Sequence, residues 1–140
     1  MRYVYSEQLY HFGVPGMSWG QHKAMTADVY SKKIKKLRRL ESRYTKYRSK
    51  ASELNYKAKS KFASANRRFF NNEERAARVS RQSYRLERRA AKAQRDSDRA
   101  KRKGIRLYKK LEKRMANATI SDFNKEDLAY AQKFAARYII

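Results

Sequence analysis

An all-α, elongated fold is what the amino-acid sequence predicts: two long basic amphipathic helices, paired as a hairpin or coiled coil, then a short C-terminal helix, all preceded by an irregular Gly/Trp loop. Three observations carry this. Between Gly20 and Gly104 no glycine or proline interrupts the chain. Within that stretch apolar and small residues recur at alternating steps of three and four, the period of a helix face and of a coiled-coil seam. The only proline, the only tryptophan and three of the four glycines are confined to residues 13–20, so the irregular backbone is concentrated at one end.

Residues 1–10 have Val4, Leu9 and three tyrosines but no decisive period; strand and helix both fit. The loop follows, from His11 to Lys23. Thr26 then suits an N-cap, with Asp28 in the first turn where the helix dipole favours an acid. The first long helix is expected from about Ala27 to Phe70. Its seam reads Leu37, Leu40, Tyr44, Tyr47, Ala51, Leu54, Ala58, then Phe62, Ala65 and Phe69. The step of four into Phe62 shifts the face slightly. Asn71-Asn72-Glu73-Glu74 is the best interior break, because one Asn can close a helix and the next can cap another that opens on two glutamates. Continuity through this point is the competing reading.

The second long helix, about Glu73 to Met115, has a cleaner seam: Ala76, Val79, Ser83, Leu86, Ala90, Ala93, Ser97, Ala100, Gly104, Leu107, Leu111. Gly104 falls on it, where a missing side chain permits close approach, and the small residues let a partner helix come nearer than the usual 8–10 Å. Each buried alanine contributes only ~0.8 kcal/mol, against ~1–2 kcal/mol of backbone entropy per ordered residue, so the seam alone holds a helix weakly. Asn117 to Asn124 reads as a loop. Asn124 followed by Asp127 is a capping-box variant opening a third helix, with Leu128, Ala131, Phe134, Ala135 and Tyr138 on one stripe. That segment is nearly neutral, which suits docking on protein. The organisation expected is residues 1–25 as a docking segment, 26–116 as the long basic helical region and 117–140 as the C-terminal helix.

Composition narrows the function. The 37 Lys and Arg stand against 13 Asp and Glu, a net charge of +24 in 140 residues, which points to a polyanion as partner. The basic runs are Lys32, Lys33, Lys35, Lys36, Arg38 and Arg39; Arg67 and Arg68; Arg88 and Arg89; and Lys101, Arg102 and Lys103. One such run is ordinarily a solvated face. For the whole chain, self-repulsion opposes compaction unless anions neutralise it, and a phosphate backbone does so by counterion release without any reading of sequence. Tyrosines at 30, 44, 47, 56, 84 and 108 are seam or flank residues, with stacking on unpaired bases as the rival use. Nothing assembles catalysis: both histidines lie in one loop without a nucleophile, and cysteine is absent. No cofactor and no metal are expected, since His11, His22 and carboxylates make a poor zinc set. No apolar run approaches the ~20 residues of a membrane span, and the N-terminus lacks a signal-peptide core.

The loop remains. Phe12, Val14, Met17 and Trp19 give it apolar surface that an irregular segment can barely bury against itself. It packs on this chain's own helices or docks on another protein, and the candidate docking residues are His11, Gly13, Gly16, Met17, Trp19 and Gly20. The pattern His-x-Gly-x-x-Gly-Met-x-Trp-Gly-x-x-Lys, met here at His11, Gly13, Gly16, Met17, Trp19, Gly20 and Lys23, resembles a motif near the N-terminus of small virion-associated proteins of tailed bacteriophages and prophages. Pro15 and Ser18 stand where that family commonly has basic residues. The resemblance covers about a tenth of the chain and implies a virion or head-assembly context without a defined chemistry.

The expectation is a minor structural virion protein, inside the head or along its channel. Basic helices would contact packaged DNA, and the loop, with the third helix, would dock on capsid or portal proteins. A second copy of the chain is a further candidate partner for the seams. Two rivals stay open: a head-assembly or scaffolding protein whose basic helices face acidic protein surfaces, and a non-phage RNA- or ribosome-binding helical protein.

Overall fold

The computed structural model describes residues 25–68, 72–116, 118 and 120–139. The glycine-tryptophan loop lies outside them, as do Phe69 and Asn71. Every regular element among the described residues is helical: α1 (Ala27–Arg68), α2 (Glu73–Met115), a 3-10 turn at Ile120–Asp122 and α3 (Lys125–Tyr138).

The helix starts are capped as local chemistry requires. The Thr26 carbonyl accepts from Tyr30 N at 2.9 Å and its hydroxyl faces Val29 N at 3.4 Å. Asn72 is extended (φ −163°, ψ 100°), and its side chain accepts from Arg75 N at 2.9 Å. A new helix therefore opens at Glu73 and the two long helices are not continuous. Asn124 caps α3 by accepting from Glu126 N at 2.9 Å. The expected capping-box role of Asp127 is overturned: its carboxylate turns away from the cap and takes hydrogen bonds from α1 instead.

Helices α1 and α2 form an antiparallel hairpin whose register is set by two serines. Ser83 Oγ donates to the Ala58 carbonyl at 2.9 Å, and Ser97 Oγ donates to the Tyr44 carbonyl at 3.2 Å. From Ser83 to Ser97 the donor advances two heptads on α2, and its acceptor retreats two heptads on α1. A serine side chain is short, so reaching the other helix's backbone requires the close approach that small seam residues allow. On α2 the whole predicted seam is buried or half-buried, with Ala76, Val79, Ser83, Ala90, Ala93, Ser97, Ala100, Gly104 and Leu111 fully so.

On α1 the buried residues are Tyr30, Ile34, Leu37, Ala51, Ala58 and Ala65, while Leu40, Tyr44, Tyr47 and Leu54 are half-buried. Phe62 is the correction: it is 53% exposed, and burial runs one heptad from Ala58 to Ala65. Four residues past Ala58 and three before Ala65, Phe62 stands beside the seam and not on it.

The hairpin is unequal along its length. Large buried side chains collect at the end away from the α1–α2 turn, where Met25, Tyr30, Ile34, Leu37, Leu111, Phe123, Ala131 and Phe134 make one cluster. Tyr30 and Phe123 meet edge to face at 5.0 Å. Helix α3 lays its apolar stripe across this end, and the Phe134 ring lodges over Gly104: a Cβ built there would lie 3.1 Å from Phe134 Cζ. The missing side chain thus admits α3, not only α1, and the stripe read as a docking surface for other proteins is used within the chain. Nearer the turn the fully buried seam residues are alanine, serine and one valine, with Leu54 and Leu86 half-buried among them.

Candidate nucleic-acid interface

Two carboxylates are consumed inside the fold. Asp127, 6% exposed, accepts from Ser31 Oγ at 2.6 Å and from the Arg38 guanidinium at 3.1 Å. Glu41 accepts from the Tyr138 hydroxyl at 3.0 Å, from Arg137 at 3.2 Å and from the Tyr130 hydroxyl. Burial first, then the hydrogen bond to Glu41, pushes the Tyr138 phenol up to about 12 and raises that of Tyr130 as well. These acids tie α3 to α1 and leave the outer cations uncompensated. Among the described residues the ion pairs are Arg38–Asp127, Lys57–Glu53 and Arg137–Glu41.

The structure divides the thirteen cations expected to bind nucleic acid. Lys32, Lys35, Lys36 and Arg39 are exposed on α1, and Lys33 is half-buried. Arg67 is exposed near the turn, beside Arg68 at the last position of α1. On α2, Arg88, Arg89, Arg102 and Lys103 are exposed. Two of the thirteen do other work. Arg38 pairs with Asp127 and lies 4.8 Å over the Tyr130 ring, and half-buried Lys101 stands 5.8 Å from the Tyr138 ring. Both hold α3. By the register, Lys32–Arg39 stand level with Arg102 and Lys103, whereas Arg67 is near the turn and Arg88 in between, so the run-by-run selection does not form one patch.

What does form a continuous surface is a row that reading by runs missed. Arg78, Arg81, Arg85, Arg88, Lys92, Arg95, Arg99, Arg102, Arg106, Lys109 and Lys113 follow one another at alternating steps of three and four. Each stands two residues beyond a seam position, which at 100° per residue puts the row on the far side of α2 from α1. All eleven are exposed, and none is in an ion pair among the described residues. The row spans roughly 52 Å with a cation about every 5 Å. Glu87, Asp96, Asp98 and Glu112 fall between its members and never on it. The signal was in the sequence: the heptad that defined the seam, displaced by two.

Of the six tyrosines considered for stacking, Tyr30 is buried, and Tyr44, Tyr47 and Tyr108 are half-buried. Tyr56 at 75% and Tyr84 at 61% are exposed. Among the described residues no three His, Cys, Asp or Glu side chains are grouped to hold a metal ion, and no helix is long and apolar enough to cross a membrane. Comparison with protein-family models, with curated proteins and with solved structures found no match.

Proposed function

We propose that this is a structural nucleic-acid-binding protein that grips a phosphate backbone along α2. What carries the reading is the eleven-cation row: periodic, exposed, unpaired among the described residues and without an apolar side chain in it. Protein interfaces are anchored by buried aromatic and aliphatic groups, and a row of cations alone offers none. A polyphosphate needs only charge at regular intervals, and releases counterions on binding. In the same proposal the chain is a minor virion protein that contacts packaged DNA and docks on capsid or portal through residues 11–20. The motif at His11–Gly20 supports that context.

The test is binding to a DNA duplex of arbitrary sequence as salt is varied. With about six to ten phosphates contacted, affinity falls ~10³–10⁵-fold between 50 and 200 mM salt, with little dependence on base sequence. Changing Arg85, Arg88, Arg95 and Arg99 to Gln flattens the logarithmic slope by about 0.9 for each phosphate that is no longer neutralised. A binding constant that ignores salt, or tight salt-resistant binding to an acidic protein in preference to the duplex, would refute the reading.

A further inference from the structure

The antiparallel pairing gives the hairpin two unlike sides. Helix α3 packs beside residues that follow seam positions: Ser31 and Arg38 follow Tyr30 and Leu37 on α1, and Lys101 and Tyr108 follow Ala100 and Leu107 on α2. A step back from the seam turns 100° the other way, so residues that precede seam positions flank it on the side away from α3. On α1 these include Lys36, Arg43 and Lys50, before Leu37, Tyr44 and Ala51. On α2 they include Lys92, Arg99 and Arg106, before Ala93, Ala100 and Leu107. All six are exposed, and none is in an ion pair among the described residues. The register fixed by Ser97 and Tyr44 sets Lys36, Arg43 and Lys50 within one residue of level with Arg106, Arg99 and Lys92. The acids divide the other way. Glu41, Glu87, Asp98 and Glu112 follow seam residues and lie on the α3 side, whereas Glu53 and Asp96 precede them, and Glu53 is already paired with Lys57.

We propose that one duplex lies along the face opposite α3, straddling the seam, so that α1 and α2 grip it together. This rests on the phosphate-binding reading and names its surface. Helices paired through alanine and serine stand no farther apart than the usual 8–10 Å or so, so cations on both flanks of the seam reach the same duplex. From Lys36 to Lys50 the α1 flank runs for roughly 21 Å, about six base pairs at 3.4 Å each. Each phosphate that α1 neutralises releases counterions beyond those α2 releases alone. Within the α2 row the duplex rests on the members that precede seam residues, and Arg81, Arg88, Arg95 and Arg102 form its outer edge. The α3 side offers less. Helix α3 occupies one end of it, with Phe134 over Gly104, and the acids that follow seam residues repel phosphate along the rest.

The experiment uses the full chain with a short DNA duplex of arbitrary sequence. Lys36, Arg43 and Lys50 changed together to Gln should flatten the logarithmic salt slope by up to ~2.7, three phosphates at about 0.9 each. Arg48 and Lys59, which follow seam residues and are exposed on the α3 side, should leave the slope as in wild type when changed to Gln. Circular dichroism confirms the helices in both variants. An unaltered slope in the α1 variant, or a comparable loss in the α3-side variant, overturns the inference. A second measurement leaves every cation in place. The chain has no cysteine, so a DNA-cutting iron chelate can be tethered at Gln82→Cys, before Ser83, or at Ser80→Cys, after Val79; both positions are exposed. Cutting should be several-fold stronger from Gln82→Cys. Equal cutting from the two positions, or stronger cutting from Ser80→Cys, overturns the assignment of the face while the phosphate-binding reading stands. Absence of any duplex binding by the wild type is a different result: it removes the phosphate-binding reading itself, and this inference with it.

Discussion

Replacing Gly104 by alanine sets two effects of known size against each other. In a helix interior the change favours folding by about 1 kcal/mol, since alanine loses less backbone entropy. At this position the new Cβ would lie 3.1 Å from Phe134 Cζ and 3.7 Å from Leu37 Cδ1. The second is ordinary contact; the first requires the ring to give way by a few tenths of an ångström. Phe134 is 3% exposed, with Tyr138 at 4.7 Å and Tyr108 at 6.0 Å between ring centroids, so it has little freedom to withdraw. Overpacking of that kind costs about 1–3 kcal/mol, and Gly104→Ala is expected to destabilise by about 1 kcal/mol net. With Phe134→Ala, itself costing ~3–5 kcal/mol, the obstruction is gone and Gly104→Ala should stabilise by about 1 kcal/mol. Urea unfolding of the four proteins at high salt, where the chain's own repulsion is screened, measures the cycle and should give a coupling near 2 kcal/mol. Phe134→Leu serves in place of alanine if that variant does not fold. Equal stabilisation by Gly104→Ala in both backgrounds would refute the placement of the ring.

Alkaline titration tests the Glu41 cluster. The raised phenols of Tyr130 and Tyr138 favour the protonated, folded form. Their contribution is present in full below the ordinary tyrosine value near 10 and is lost as pH rises toward 12 and above. Ultraviolet absorbance should show late phenolate formation that moves earlier in Glu41→Leu; an unchanged titration contradicts the contact. Asp127→Ala removes the acceptor of Ser31 and Arg38. With Arg38 47% exposed, solvent screens that half of the loss, so the unfolding free energy should fall by about 1–2 kcal/mol, and an unmoved midpoint would contradict it. Trp19→Ala is expected to weaken docking on particles by about 2 kcal/mol or more with the hairpin's unfolding midpoint unchanged; a lowered midpoint would place Trp19 in this chain's own core.

The parts of the fold legible in the sequence are those set by period and capping. Heptad spacing found all eleven α2 seam positions, and Asn72 and Asn124 cap where local hydrogen bonding demanded. What failed needed three dimensions. Phe62 is as apolar as any core residue, but burial keeps the heptad Ala51, Ala58, Ala65 and leaves the ring at the seam's flank. Asp127 sits where a capping box would use it, but a carboxylate facing both a hydroxyl and a guanidinium on α1 gains more there. Arg38 and Lys101 look like their basic neighbours in the chain, and only the position of α3 turns them inward. The α2 row was missed for another reason. Runs of adjacent charges draw the eye, yet adjacent residues on a helix face directions 100° apart, so a usable face has to be read at the seam's own period.

The same unevenness that places α3 at one end predicts how the hairpin opens. Toward the turn the buried residues are Ala51, Ala58, Ala65, Ala76, Val79, Ser83, Ala90 and Ala93. Each alanine returns about 0.8 kcal/mol, less than the ~1–2 kcal/mol of entropy of one ordered residue. That half should open locally at a lower free energy than the clustered end, and Arg78, Arg81, Arg85 and Arg88 stand on it. A duplex that prefers cations held about 5 Å apart on a formed helix stabilises the closed state by its differential affinity, up to ~2.7 kcal/mol when closed-state binding sites are occupied at 100 times their dissociation constant. An opened polycation also binds phosphate, so the gain is smaller than that ceiling. Amide hydrogen exchange should therefore be fastest in α1 beyond Ala51 and in α2 before Ala90, and should slow there by up to ~100-fold with saturating duplex. Amides of α3 and of Ile34–Leu37 should change less. Uniform protection along both long helices without duplex would deny the weak half, and unaltered exchange near the turn with duplex bound would show that the four arginines there make no contact with it.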